Sequence, residues 1–112
     1  MSDTQPIIAC DLGALNAEER ARRSTVSTRV SARFHEVRET LDGYVARFDA
    51  DPQLIRDALD WVLLERRRCP FLQLELRFEP SAGPVWLLFG GGPGVKEFLG
   101  AAGFKAFPEK PL

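Results

Sequence analysis

The stretch from Asp51 to Pro70 has few ways to fold. Asp51 is a good N-cap, and Pro52 follows at the first helical position, where a missing N–H does no harm. Leu54, Ile55, Ala58, Leu59, Trp61, Val62, Leu63 and Leu64 then recur at helical spacing. Arg66, Arg67 and Arg68 fall in the last turn, where cations meet the negative end of the helix dipole. Pro70 ends the run. The pattern predicts a helix over 53–68 with an apolar face broad enough to be the centre of the core.

The flanking segments arrange themselves around it. Asn16 is an N-cap with Glu19 three residues on, the spacing of a capping box, which predicts a helix from Asn16 to about Arg33. Its apolar stripe is thin, Leu15, Val26 and Val30, with Ala21 and Ala32 to the side. Six arginines against three glutamates between Ala17 and Arg38 make it locally basic. Such a helix is either a solvated face or a surface for an acidic partner. Asp42-Gly43 predicts a type I′ hairpin between strands 34–41 and 44–49, because both central residues of that turn need positive φ. Phe71 to Phe78 alternates, with Leu72, Leu74, Leu76 and Phe78 inward. Val85 to Phe89 is apolar on both faces, which predicts a strand that is covered or interior. Val95 to about Ala102 reads as a third helix ending at Gly103.

The order is therefore α-ββ-α-ββ-α, a pseudo-repeat of helix plus hairpin. The simplest architecture is α+β, one four-stranded antiparallel sheet with helices mainly on one face. A chain of 112 residues is expected to be a single domain over 1–112. Residues 1–11 read as an N-terminal arm, within which 7–10 are either a lead-in or a short edge strand. Residues 104–112 read as a tail that either packs or hangs loose. Fifteen basic and sixteen acidic residues balance to a net charge of −1, which argues against a coat for nucleic acid. No apolar run is long enough for a membrane helix. The first residues lack the basic start and apolar core of a signal peptide, and two cysteines are too few for a disulfide scaffold. A cytoplasmic protein, with a protein partner or a second copy of itself, is the expectation.

Chemistry concentrates where the central helix ends. Glu65 lies on the stripe traced by Leu54, Ala58 and Trp61, and Cys69 falls one turn later on the same side. An apolar stripe tolerates a carboxylate only with a partner: an arginine, a backbone amide, a metal or a proton. Cys69 is either a small buried hydrophobe or a thiol facing a cleft. The helix C-terminus raises the pKa of such a thiol and nearby arginines lower it.

At this point the chain resembles a group of small uncharacterised bacterial proteins, some encoded near mercury, arsenic or other metal-resistance genes. They share an early Cys-polar-Leu segment and a helix ending in Glu-Arg-x-Cys-Cys-Pro-Phe-Leu. A hydrophobic hairpin and a Gly-Pro-x-Val-Lys-Glu-Phe-like helix start follow. The matching residues here are Cys10-Asp11-Leu12, Glu65-Arg66-Arg67-Arg68-Cys69-Pro70-Phe71-Leu72, Val85-Trp86-Leu87 and Gly92-Pro93-Gly94-Val95-Lys96-Glu97-Phe98-Leu99. Arg68 stands where the group has its second cysteine. The three-thiolate site the resemblance implies thus shrinks to Cys10, Cys69 and Glu65. Two thiolates suffice for a soft ion such as Cu(I) or Hg(II), but not for a closed zinc site.

Gly90 to Lys96 offers a second candidate. Glycine-rich backbone entering a helix presents the amides of Gly92, Gly94 and Val95 to an anion, with Lys96 adding charge. The Gly-Lys-Ser/Thr ending of a P-loop is absent, and a plain connector reads the same way. His35 has no acid–nucleophile constellation near it and reads as a hairpin or surface residue. No complete catalytic set emerges. Three functions therefore stand open. The chain is a small binding or accessory protein with a thiol-linked metal or metalloid role, an interaction module with structural cysteines, or a binder of a small anion at the glycine loop.

Overall fold

Three helices and four strands occur in the expected order in a computed structural model that describes residues 8–108. Asn16 caps α1 (Ala17–Ser31) through a complete capping box: its side chain accepts from the Glu19 amide, and Glu19 accepts from the Asn16 amide. Asp51 caps α2 (Pro52–Arg68) by accepting from the Leu54 amide. The strands are β1 (Glu36–Glu39), β2 (Gly43–Phe48), β3 (Gln73–Phe78) and β4 (Val85–Gly90), and α3 (Val95–Ala101) follows. All pairings are antiparallel in the order β1-β2-β4-β3, so the two hairpins meet through their second strands.

One face of this sheet is the core. Tyr44, Ala46 and Phe48 oppose Phe89, Leu87 and Val85, and all six are buried. Leu54, Ala58 and Trp61 of α2, Val26 and Val30 of α1, and Val95 and Leu99 of α3 join them in one cluster. β4 is interior to the sheet, which explains its apolar run. Its other face is only half covered: Trp86 lies beneath the Arg38 guanidinium, 5.0 Å from the ring centre. Phe78 shares the inward face but is 57% exposed, at the end of β3, an edge strand.

The first hairpin departs from expectation. Neither Asp42 nor Gly43 takes a positive φ, so the turn is not type I′. β1 stops at Glu39 while β2 begins at Gly43, and Thr40 donates to the Gly43 carbonyl at 2.9 Å across a longer loop. Gly43 belongs to β2 and is glycine for space. A Cβ there would collide with the Phe89 carbonyl oxygen and stand 2.7 Å from Cα of Gly90. Gly43→Ala is therefore expected to lose about 1–3 kcal/mol in urea unfolding, by forcing β2 off β4. Asp42→Ala should stay within about 0.5 kcal/mol, since no left-handed residue is needed there.

Both ends of the described segment are tied to the fold. Phe104 packs on Phe89 and Tyr44 at 4.9 and 5.5 Å between ring centres. Phe107 exchanges two backbone hydrogen bonds with Val37 and so covers the outer edge of β1. Residues 109–112 of the expected tail lie outside the described residues, as does residue 7 of the expected edge strand. Residues 8–11 form no strand. Instead Asp11 donates to the Arg68 carbonyl at 2.6 Å, and Arg67 donates to the Ala14 carbonyl at 2.9 Å.

The basic helix finds its acidic partner within the chain. Arg22 reaches Asp57 and Asp60 of α2, Arg29 reaches Asp57, Arg23 reaches Glu65, and Arg67 reaches back to Glu19. Asp57 has no exposed side-chain surface, yet it lies just beneath guanidiniums that reach solvent. Burial pushes its carboxyl up. Hydrogen bonds from Arg29 and Gln53, with the charges of Arg29 and Arg22, outweigh that and hold it below the ordinary carboxylate range. Two valines alone would seat α1 weakly; the ion pairs fix its register on α2 more than they add stability.

Candidate functional site at the Cys10–Cys69 pair

Cys69 is the C-cap of α2. Its amide still donates to the Glu65 carbonyl at 2.7 Å, but Pro70 forces its backbone out of the helix, to φ −127° and ψ 77°. The turn swings the side chain inward, and Cys69 is 1% exposed. The N-terminal segment, held by the Asp11–Arg68 bond, brings Cys10 to it. The two cysteines form a disulfide with Cα atoms 4.4 Å apart and a sequence separation of 59. The sequence does place two thiols far apart and offers no local sign that they meet. The structure brings together the two residues whose meeting the sequence leaves open, through the docking of 10–14 on the end of α2.

Arg68 sits beside the bonded sulfurs. Its Nη1 is 3.4 Å from Cys69 Sγ and 3.9 Å from Cys10 Sγ. Arg68 thus places a positive charge at the sulfur pair. Arg68 also lies 3.6 Å from Glu65 Oε1.

Glu65 is accounted for by arginines. It is buried, and Arg23 donates to both of its oxygens, at 2.5 and 3.3 Å. Of the partners open to a carboxylate on this stripe, the structure supplies an arginine of α1. Both of its oxygens face guanidiniums. Among the described residues no group of three or more His, Cys, Asp and Glu is placed to hold a metal ion.

Cys69, Arg68, Glu65 and Arg23 form one wall of a cleft of about 650 Å³. Trp61, Phe34, Phe98 and Phe104 line it as well. Trp61 stacks on Phe34 and leans on Phe89, with ring centres 6.4 and 5.1 Å away, and its indole N–H has no partner among the described residues. Sequence reasoning missed this cleft because its walls come from three helices and the segment after α3. The only local sign was the cluster of aromatics in an otherwise short tail, Phe104 and Phe107.

The glycine loop looks different in three dimensions. Lys96 donates to the Thr40 carbonyl at 2.9 Å and pairs with Glu39 at 3.1 Å. The Val95 amide already donates to the Gly92 carbonyl. Gly94 is the left-handed N-cap of α3 at φ 89°, and a Cβ there would stand 2.6 Å from the Ile8 side chain. Gly92 and Gly94 are exposed, and two of the four residues proposed for an anion are committed elsewhere. His35 is a surface residue 3.1 Å from Asp49. No helix among the described residues is long and apolar enough to cross a membrane. No protein-family model, curated protein or solved structure matches this chain.

Proposed function

We propose that this chain is a small binding protein whose working group is the Cys10–Cys69 pair, and that its dithiol form takes one soft metal or metalloid ion. The observation that carries the reading is the convergence of both cysteines beside Arg68, with Cys69 and Arg68 on the wall of a cleft. A cellular dithiol supplies two electrons and two protons to open the disulfide. Each thiol then gives up its proton as it bonds the ion, so that Hg(II) yields S–Hg–S and releases two protons. Two sulfurs satisfy such an ion where zinc would need four ligands. A reducing cytoplasm is the setting that provides the dithiol form. No catalytic role is assigned to any residue.

Native mass spectrometry with Hg(II), Cu(I) and As(III) tests the reading. The reduced chain is expected to take up one Hg(II), the disulfide form none, and Cys69→Ser to lose most of the uptake. Equal uptake by the reduced chain and Cys69→Ser would remove Cys69 from the site. One specific observation favours a second reading: the 1% exposure of Cys69 suits a purely structural bridge in an interaction module. That reading predicts no uptake by any form. A site for a small anion at Gly92, Gly94, Val95 and Lys96 would first have to free Lys96 from Thr40 and Glu39.

A further inference from the structure

The two edges of the sheet are treated differently. β1 has four residues, and Phe107 bonds to its outer side. β3 has six, pairs with β4 on one side, and has no strand on its other side among the described residues. An open edge is usually blunted by proline, a bulge, or a charge pointing inward. β3 has none of these: its register with β4 is unbroken, and its inward residues are Leu74, Leu76 and Phe78.

The sequence of this edge is complementary to itself. Two copies paired antiparallel about Leu76 place Leu76 opposite Leu76 and Leu74 opposite Phe78. On the other face they place Glu75 opposite Arg77, and the symmetry makes that ion pair twice. Both charged side chains point to the outer face, with Leu88 and Trp86 as their neighbours on β4. Within one chain they meet in a solvent-exposed ion pair at 3.3 Å, with Glu75 44% and Arg77 58% exposed, and cross-strand pairing would exchange that contact for the neighbouring copy's opposite charge. A twofold axis normal to the sheet keeps the inward faces on one side, so the exposed Phe78 rings are covered on the same side as the helices. We propose that β3 is the interface of a homodimer, in which two four-stranded sheets join edge to edge as one eight-stranded sheet. The occupant is a second copy because the pattern satisfies itself: apolar against apolar and each charge against its opposite, without any residue from another protein.

Sedimentation velocity on the full chain over a concentration series tests this. The wild type is expected to shift from monomer to dimer as concentration rises. Glu75→Arg sets arginine against Arg77, and Arg77→Glu sets glutamate against Glu75. Each alone is expected to weaken dimerisation roughly tenfold or more. Mixed in equal amounts, the two single variants regain opposite charges at both positions and form a mixed dimer. The double exchange Glu75→Arg with Arg77→Glu restores the wild-type dimer within one chain. Circular dichroism on every variant secures that each is folded, and the two positions are exposed enough that both substitutions leave the core untouched. A wild type that remains monomeric overturns the proposal, including the case in which its β3 amides are protected from exchange by a segment of the same chain. A dimer indifferent to both reversals, or single variants that stay apart when mixed, overturns it as well.

Discussion

Trp61→Ala is expected to destabilise the chain by about 3–5 kcal/mol, because the indole is 6% exposed at the centre of the cluster and nothing small fills its place. Its ring touches two layers at once, Phe34 from the segment after α1 and Phe89 from β4. Losing it separates α2 from the sheet and opens the floor of the cleft. Trp61→Phe separates packing from hydrogen bonding. The indole N–H bonds nothing among the described residues, so phenylalanine keeps most of the contact and gives up no bond. Its cost should stay under about 1.5 kcal/mol. Urea midpoints of the two variants check this. An alanine variant as stable as the phenylalanine one would mean that the ring is not the pivot of the core.

The second large effect belongs to the disulfide. It spans 59 residues, which include α1, the first hairpin and α2. Chain-entropy reasoning assigns about 3 kcal/mol to a 15-residue loop and about 4.7 to a 100-residue one, so this bridge is worth about 4 kcal/mol. Reductant should lower the wild-type thermal midpoint by roughly 15 °C or more, since a domain of this size loses about 4 °C or more per kcal/mol. Cys10→Ser and Cys69→Ser should begin at the lower midpoint and ignore reductant. Hg(II) added to the reduced wild type should restore much of the loss, because an ion that binds both sulfurs recloses the same loop and favours only the folded chain. A wild-type midpoint that does not respond to reductant would mean the bridge is not formed.

Much of the fold is legible before any coordinates, and the reasons are local. Asn16 with Glu19, and Asp51 with Pro52, carry their own capping chemistry, so both helix starts can be read directly. Strand alternation at Tyr44, Ala46 and Phe48 identifies the buried face because it needs only the period of a strand. The Asp42-Gly43 turn misleads because glycine has two uses. Positive φ and close approach leave the same letter in a sequence, and only the position of Phe89 tells them apart.

The candidate site is less legible, since it is made by contacts distant in sequence. Glu65 on an apolar stripe announces that it needs a partner. That Arg23 is the partner depends on how α1 lies along α2. Cys10 and Cys69 carry no spacing signature, and their meeting rests on the Asp11–Arg68 backbone bond and on the Arg67 guanidinium's bond to the Ala14 carbonyl. Arg68 reads from sequence as one more cation in a last turn. Its place beside two sulfurs appears only when the N-terminal segment is docked.

The claim on which the rest depends is that Cys10 and Cys69 form one site. Peptide mass mapping of the unreduced digest, after the folded chain has been equilibrated with oxidised glutathione, tests it most directly. The account predicts a single linked pair of peptides, one holding Cys10 and the other Cys69, which separates on reduction and frees two thiols. Cysteines recovered singly, each as its own glutathione adduct or as a free thiol, would contradict it.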